Sequence, residues 1–420
     1  MDELPDRVQA SVRSPSLPVS IRDSRERLTA DVVVIGAGIV GASCAYALSR
    51  AGLEVHLVER DAPARGASGA CEGHLILWDS PTSADLRLRR WSHQRWAELA
   101  VELLAETRID IEYERKGSLM IARDEEDAEC ARDKCAWLTE EGIRFEWLDE
   151  VGLREAEPAL RPDAAAAAYF PADAQIEPRL ATAALVRAGR LRGMVIHNHE
   201  PVFSLAASES SSAEGGMTVG TLRHLIATPW VVVAAGVGTP GVLELLGVDL
   251  PVTARKGQIA VVAGAPIEVR HIVSEAGYMR TVASDDTQLQ IATVVGSTRA
   301  GTILLGSSRL MTDPDDRDVD LDVLNRIVSR AVGFFPGLAL GRVVRSYAGL
   351  RPMSPDHRPI VGPIPAAPRV ILATGHEGGG VMMAAATGDL VARLIVGGKA
   401  PGDLDPFLPG RFFATTVASH

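Results

Sequence analysis

DVVVIGAGIVGASCAYALSRAGLEVHLVER, residues 31–60, decides the fold. Its opening β-branched apolar run suits a strand buried on both faces, and it passes straight into glycine. Gly36, Gly38 and Gly41 stand in GxGxxG spacing. From Ile39 to Arg50 the small and apolar residues favour a helix. The three glycines serve different ends. Gly36 permits a tight turn, Gly38 lets a pyrophosphate approach the backbone, and Gly41 lets the helix pack closely on the strand. The free amides at the helix start, Ile39 among them, and the helix dipole stabilise phosphate charge. A second strand over 55–58 ends in Glu59, followed by Arg60, where an acid about 20 residues beyond the glycines is expected to hold a ribose hydroxyl. A lone glycine motif would read as an ordinary turn. Strand, turn, helix, strand and terminal acid in order specify a dinucleotide-binding unit. FAD and NAD share this cradle, so the unit alone leaves the choice open.

Working outward, three segments bear on that choice. RGASG, 65–69, offers small residues and the Ser68 hydroxyl to the other side of a pyrophosphate, or is a flexible loop. WVVVAAG, 230–236, reads as another buried strand ending in small residues. VILATGHEGGG, 370–380, is strand and glycine turn, and the apolar stretch after it is a helix ending near Gly397.

Together with PVTARKGQ (251–258) and YAGLRPMSPDHRPIVG (347–362), these segments make the chain resemble the D-amino-acid oxidase family of FAD-dependent oxidoreductases from about 30 to 400. Its GHEGGG is most similar to the branch holding hydrogen cyanide synthase, proline and hydroxyproline dehydrogenase, and opine oxidase subunits. The resemblance implies an α/β FAD-binding dinucleotide fold, a glutathione-reductase-like Rossmann variant. An interleaved α+β substrate domain would contain an antiparallel sheet. The FAD domain would gather 29–85, 147–250 and 341–412, and the substrate domain 86–146 and 251–340. Residues 1–28 would be a flexible extension and 413–420 a tail. Implied cofactor contacts are Gly36, Gly38, Ile39, Gly41, Glu59 and Arg60, then Ala67, Ser68, Gly69, Val202, Ala235 and Gly236, and finally Gly375, His376, Gly378, Gly379, Gly380 and Val381. The last glycines start a helix whose positive end would face the part of the flavin that gains negative charge on reduction.

In the substrate domain, Trp96, Leu99 and Leu103 recur at helical spacing. Stretches 257–262 and 278–295 are rich in β-branched residues, the second divided by a polar turn at 284–286. Substrate chemistry is expected at three residues. In relatives the arginine matching Arg351, in GLRP, carries the substrate carboxylate, which a guanidinium holds by two parallel charge-assisted hydrogen bonds. Tyr278, expected in a strand, would close that site or serve packing. His376 would tune the flavin, relay a proton, or only hydrogen-bond the backbone. A second substrate arginine of glycine oxidase, just after its GH pair, is absent here. The carboxylate is then held less firmly, or the substrate is a secondary amine, imino acid or opine-like conjugate.

Composition bounds the alternatives. A net charge of -11 without a long basic run argues against a nucleic-acid partner and favours a small amino-acid or amine substrate. Apolar runs such as 230–235 are too short to span a bilayer. Cys44, Cys71, Cys130 and Cys135 lack CxxC spacing, which fits a reducing cytoplasm and provides no iron–sulfur ligand set. Among His93, His197, His199, His271 and His357 only His197 and His199 share a metal-like spacing, and two ligands make no site, so no metal is expected. The acidic runs 124–127 and 313–318 read as solvated loops. The expected activity is oxidation of a carbon–nitrogen bond with FAD. The alternatives are a flavin subunit of a heteromeric amino-acid or opine dehydrogenase, an NAD-dependent dehydrogenase, and a flavin protein that no longer turns over. A homo-oligomer and a heteromeric electron-transfer partner both stay open.

Overall fold

Every residue of the strand Val32–Ile35 is buried, yet successive side chains enter different cores. Val32 and Val34 join Val55, Leu57 and Val232, whereas Val33 and Ile35 join Val58, Val231 and Val233. Such alternation requires cover on both faces of the sheet. The computed structural model, which describes residues 25–161, 163–207, 216–278, 286–399 and 404–413, supplies it. One face carries the helices Ile39–Arg50, Ser83–Thr107, Pro178–Leu191 and Gly380–Val396. The other carries a four-stranded sheet of Glu26–Thr29, Val202–Ala207, Met217–Thr221 and His224–Thr228. Each buried valine contributes about 1.5–3 kcal/mol.

The central sheet has six strands in the order Ile360–Ile364, Ala367–Thr374, Trp230–Val233, Val32–Ile35, Val55–Val58, Val195–His197. All neighbours are parallel except the first pair. The carboxyl ends of the parallel strands therefore share one edge. From Val32–Ile35 the chain winds outward in one direction, and Trp230–Val233 starts the other half, so the crevice between them is the topological switch point where ligands bind.

A second, eight-stranded sheet faces that edge, in the order Arg342–Met353, Thr253–Ala263, Ile303–Thr312, Gln290–Ser297, Ile272–Glu275, Ser118–Ala122, Ala166–Phe170, Glu146–Leu148. It is antiparallel except where Ile272–Glu275 runs parallel to Ser118–Ala122. Helix Leu321–Phe334 buries Val323, Leu324 and Ile327 against it.

The partition differs from expectation in several places. Helix Ser83–Thr107 has the expected period, but Leu86, Trp96, Leu99 and Leu103 pack in the dinucleotide core, and Trp96 Nε1 donates to the Val381 carbonyl at 2.9 Å. Periodicity identifies an apolar face without saying which core receives it. Strands Glu146–Leu148, Ala166–Phe170 and Arg342–Met353, expected in the FAD domain, pair within the eight-stranded sheet. Glu26–Thr29, expected in the flexible extension, pairs in parallel with His224–Thr228. The rest of that expectation, 1–24, lies outside the described residues, as do 414–420 of the tail and all but Asp286 of the polar turn. Asp124 is a helix cap, not a solvated loop: its carboxylate accepts from the Asp127 amide at 2.8 Å. None of the four cysteines takes part in a disulfide.

Segment Glu377–Val396 is apolar enough to cross a membrane by length and composition, but 67% of the qualifying window is buried inside the fold. Its helix packs directly on Ile39–Arg50, where a Cβ on Gly388 would stand 2.5 Å from the Ser43 carbonyl oxygen. Gly388→Val should therefore separate the two helices and cost about 1–3 kcal/mol, lowering Tm. Gly241→Ala, in helix Thr239–Glu244 with no heavy atom within 4 Å of the new Cβ, should leave Tm unchanged or raise it. Thermal melts of both variants test the contact.

Candidate active site

At the switch point the backbone turns at Gly36, whose φ is +104°, and a Cβ there would fall 2.5 Å from the Ala234 carbonyl oxygen. Gly41 is equally constrained: its Cβ would lie 1.9 Å from the Gly36 carbonyl oxygen, so the helix packs on the turn itself. Behind the turn the Glu59 carboxylate is pinned by two amides, Ala37 N–H to Oε2 at 2.7 Å and Asp61 N–H to Oε1 at 2.9 Å. Gly38 caps helix Ile39–Arg50 without a side chain, and the Ile39 amide donates to Ser68 Oγ at 2.9 Å. A Cβ on Gly38 would come within 3.1 Å of that hydroxyl. These observations fit FAD: the bare turn admits a pyrophosphate to the helix start, loop 65–69 closes over it, and Glu59 stands where a ribose hydroxyl would be held.

The second glycine turn completes the cavity. Gly375 has φ +70°, and the next residue, His376, is 4% exposed. Thr387 Oγ1 donates to the Met383 carbonyl at 2.9 Å, so at 3.0 Å it accepts from His376 Nε2, which fixes the tautomer with the proton on Nε2. Burial pushes the imidazole pKa down to about 4. His376 is thus neutral at physiological pH, with its ring held by Thr387. Glu377 adopts φ +46°, a left-handed conformation unusual for a residue with a side chain. An ion pair with Arg255 Nη1 at 2.7 Å and a hydrogen bond with His357 Nδ1 at 2.8 Å hold it there. Burial raises its pKa, but the His357 hydrogen bond and the charges of Arg309 and Arg255 outweigh that, and the net shift is downward.

Opposite lies the face of the eight-stranded sheet. Arg351, on Arg342–Met353, stands directly across from Arg255 on Thr253–Ala263, a like-charge pair made tolerable by Glu377. The Arg351 guanidinium crosses Gly257, where a Cβ would meet Nη1 at 2.4 Å, and donates from Nη1 to the Ser308 carbonyl at 2.9 Å. Burial and then Arg309 pull its pKa down, so a bound anion would be favoured there. Tyr278 follows the strand that ends at Glu275, rather than lying within one, and its ring carries the Arg309 guanidinium at 4.5 Å. Glu72 Oε1 is buried and makes no hydrogen bond among the described residues. Burial pushes its pKa up to about 7, with Arg351 and Arg309 drawing it back.

The cavity brings most expected residues together. Gly36, Gly38, Ile39, Glu59, Arg60, Ala67 and Ser68 line its dinucleotide end with Ala235 and Gly236. Arg351, Tyr278, His376, Gly378, Gly379, Gly380 and Val381 line the other end. Gly41, Gly69, Gly375 and Val202 are outside that lining. Gly41 and Gly69 are needed beneath it, since a Cβ on Gly69 would lie 2.1 Å from the Ala64 carbonyl oxygen. Val202 opens a strand of the four-stranded sheet.

Glu72 and Arg309 are not among the residues expected from the sequence. Glu72 stands three residues beyond RGASG, and an acid near a phosphate loop is the signal that could have found it. Arg309 gives none, because its strand neighbours the site only through sheet order. A second guanidinium, from strand Ile303–Thr312, lines a smaller pocket sharing Tyr278, Glu377 and Gly379 with the main cavity.

The chain is 30% identical to glycine oxidase of Pseudomonas aeruginosa, over 90% of this chain and 98% of that one. It is 28% identical to hydrogen cyanide synthase subunit HcnC of Pseudomonas protegens, over 92% and 97%. The crystal structure of glycine oxidase from Geobacillus kaustophilus superposes with a TM-score of 0.83 at 26% identity, covering 92% of this chain and 100% of that chain. Residues 31–394 match the family described as FAD dependent oxidoreductase, and the chain belongs to this D-amino-acid oxidase family of flavoenzymes.

Proposed function

We propose that this FAD-dependent oxidoreductase oxidises the carbon–nitrogen bond of a small amino or imino acid, with the substrate held between guanidinium and carboxyl groups. The observation that supports the reading is that Arg351 and Glu72 line one cavity, with Arg309 in the adjoining pocket close enough to act on the Glu72 carboxyl. An amino acid presents the complementary pair, a carboxylate and an ammonium. Arg351 takes the carboxylate by its planar fork, and Arg309, steadied on Tyr278, adds positive potential. Ionised Glu72 receives a proton from the substrate ammonium, which frees the nitrogen lone pair to form the carbon–nitrogen double bond. A carboxyl group with a pKa near 7 suits that exchange at neutral pH. FAD supplies the acceptor for the hydride that leaves the substrate carbon. Neutral His376 and the buried Glu377–Arg255 pair keep the wall fixed. Glycine oxidase and subunit HcnC differ in that one is named an oxidase and the other a subunit, so the acceptor that takes electrons onward is read separately, by oxygen consumption against dye reduction.

A substrate screen tests the reading: anaerobic bleaching of the flavin by glycine, N-methylglycine, proline and iminodicarboxylates, compared with amines lacking a carboxylate. Faster reduction by the carboxylate-free amines would overturn it.

With a reducing substrate in hand, Arg351→Lys should lower kcat/KM by ~10- to 1000-fold at unchanged FAD content, because the charge stays while the fork is lost. Arg351→Ala should cost about 3–5 kcal/mol of transition-state binding. Gly257→Ala should act on the same group from behind, raising KM by displacing the guanidinium that crosses it.

The pH profile isolates Glu72. Only the ionised carboxylate accepts the proton, so kcat/KM of the free enzyme should rise with pH through an inflection near 7. Glu72→Gln should abolish that inflection and slow flavin reduction. An unchanged profile would remove Glu72 from the proton path.

A further inference from the structure

On the far side of the central sheet, where its edge meets the four-stranded sheet, two histidines face one buried carboxylate, and a third, His56, stands behind the first. His197 ends strand Val195–His197, His224 begins His224–Thr228, and Glu200 lies on the chain between them. Glu200 is 2% exposed and His197 7%. One ligand atom from each of these residues lies within 4.8 Å of the others. We propose that His197 Nδ1, His224 Nδ1 and Glu200 form a binding site for a divalent transition metal of the zinc class, separate from the flavin cavity, that clips the outer sheet to the dinucleotide sheet.

Two features of the geometry favour a cation over a purely hydrogen-bonded cluster. His197 Nδ1 stands 3.7 Å from Glu200 Oε1, too far for a hydrogen bond, so a buried ring nitrogen and a buried carboxylate face each other without bonding directly. Ligand atoms on a tetrahedral zinc are ~3.3 Å apart, given bonds of about 2.0–2.1 Å. The 3.7 Å gap to Oε1 and the 2.7 Å contact of His224 Nδ1 with Oε2 lie on either side of that spacing, and the donor atoms, all within 4.8 Å of one another, draw together around the ion.

The second feature is what stands behind each ring. His197 Nε2 lies 3.2 Å from His56 Nδ1, and His56 Nε2 lies 3.9 Å from Glu54 Oε1. His224 Nε2 lies 3.6 Å from Glu26 Oε2. Each proposed ligand therefore turns Nδ1 toward Glu200; His56 stands within hydrogen-bond reach behind His197, as the outer-shell partners of metal-bound imidazoles do, while Glu26 adds only negative charge behind His224. Thr221 Oγ1 at 2.7 Å and Arg223 Nε at 3.1 Å orient the carboxylate from outside. Two imidazoles and a carboxylate suit zinc and leave one position for water. From the sequence only His197 and His199 paired, and His199 is directed instead to Asp61, with 71% of its side chain exposed.

The site also bears on the cofactor. The Glu200 amide donates to the Glu59 carbonyl and the His199 amide to the Asp61 carbonyl, both at 2.9 Å, so the cluster braces the segment that carries the ribose-binding acid.

The test uses FAD-loaded protein stripped with a chelator and titrated with zinc chloride against a competing indicator. The expected result is one zinc per chain and a Tm that rises with zinc concentration. His224→Ala and Glu200→Gln, each with wild-type flavin absorbance as the check on folding, should weaken binding by more than ~100-fold, and His56→Leu by ~10- to 100-fold through the outer shell. Cobalt(II) should give tetrahedral absorption bands beyond the flavin spectrum in wild-type protein, a readout that stands even where a variant loses its flavin. No zinc uptake by wild-type protein, absence of those bands, or equal uptake by folded His224→Ala would overturn the proposal.

Discussion

The close approach of backbone to backbone at the switch point is the constraint on which the rest depends. Carbonyl oxygens of Ala234, Gly36 and Ser43 stand where the Cβ atoms of Gly36, Gly41 and Gly388 would be. With those atoms absent, the first helix seats on the turn, the last helix seats on the first, and the helix start faces the cavity instead of being lifted from it. Glu59 then meets the Ala37 amide at 2.7 Å, and the cofactor cradle is preformed. A single methyl at any of these positions would be felt along the whole sheet edge, because packed interiors transmit such displacements.

Charge is arranged under a comparable constraint. Arg255, Arg309 and Arg351 are brought within one end of the molecule by neighbouring strands, a concentration of positive charge that is costly away from water. Glu377 offsets part of it from a left-handed backbone. Glu72 contributes less, since its own burial holds it near half ionisation at neutral pH. An anionic group in the cavity would complete the balance, which is the charge argument behind the carboxylate-bearing substrate proposed above. Neutral His376 adds no charge, which keeps the wall beside the glycine turn insensitive to pH in the physiological range.

How much is legible in the sequence follows from how local each signal is. Strand, turn, helix and acid in 31–60 are local, and all stand in the structure, with Glu59 pinned behind the turn. Arg351 and His376 are found because each sits in a short motif beside proline or glycine. Arg309 escapes because nothing near it in sequence marks it. Its place beside Tyr278 arises from strands that pair across a sheet, and the register of that pairing is a long-range property. The same reason accounts for helix Ser83–Thr107, whose apolar period is plain but whose partner, the last helix, lies 285 residues away at the Trp96–Val381 hydrogen bond.

By itself, then, the sequence determined the dinucleotide unit, the flavin as its ligand once the later glycine turns were added, and the family. These rest on backbone conformations that only glycine spacing and alternating burial can satisfy. Only the tertiary structure decided which core each helix joins, which strands make up the substrate sheet, that Glu72 and Arg351 share one cavity with Arg309 in the pocket beside it, and that His197, Glu200 and His224 converge. Those outcomes depend on contacts between residues distant in the chain, and their energies of burial and charge exist only after the layers have packed.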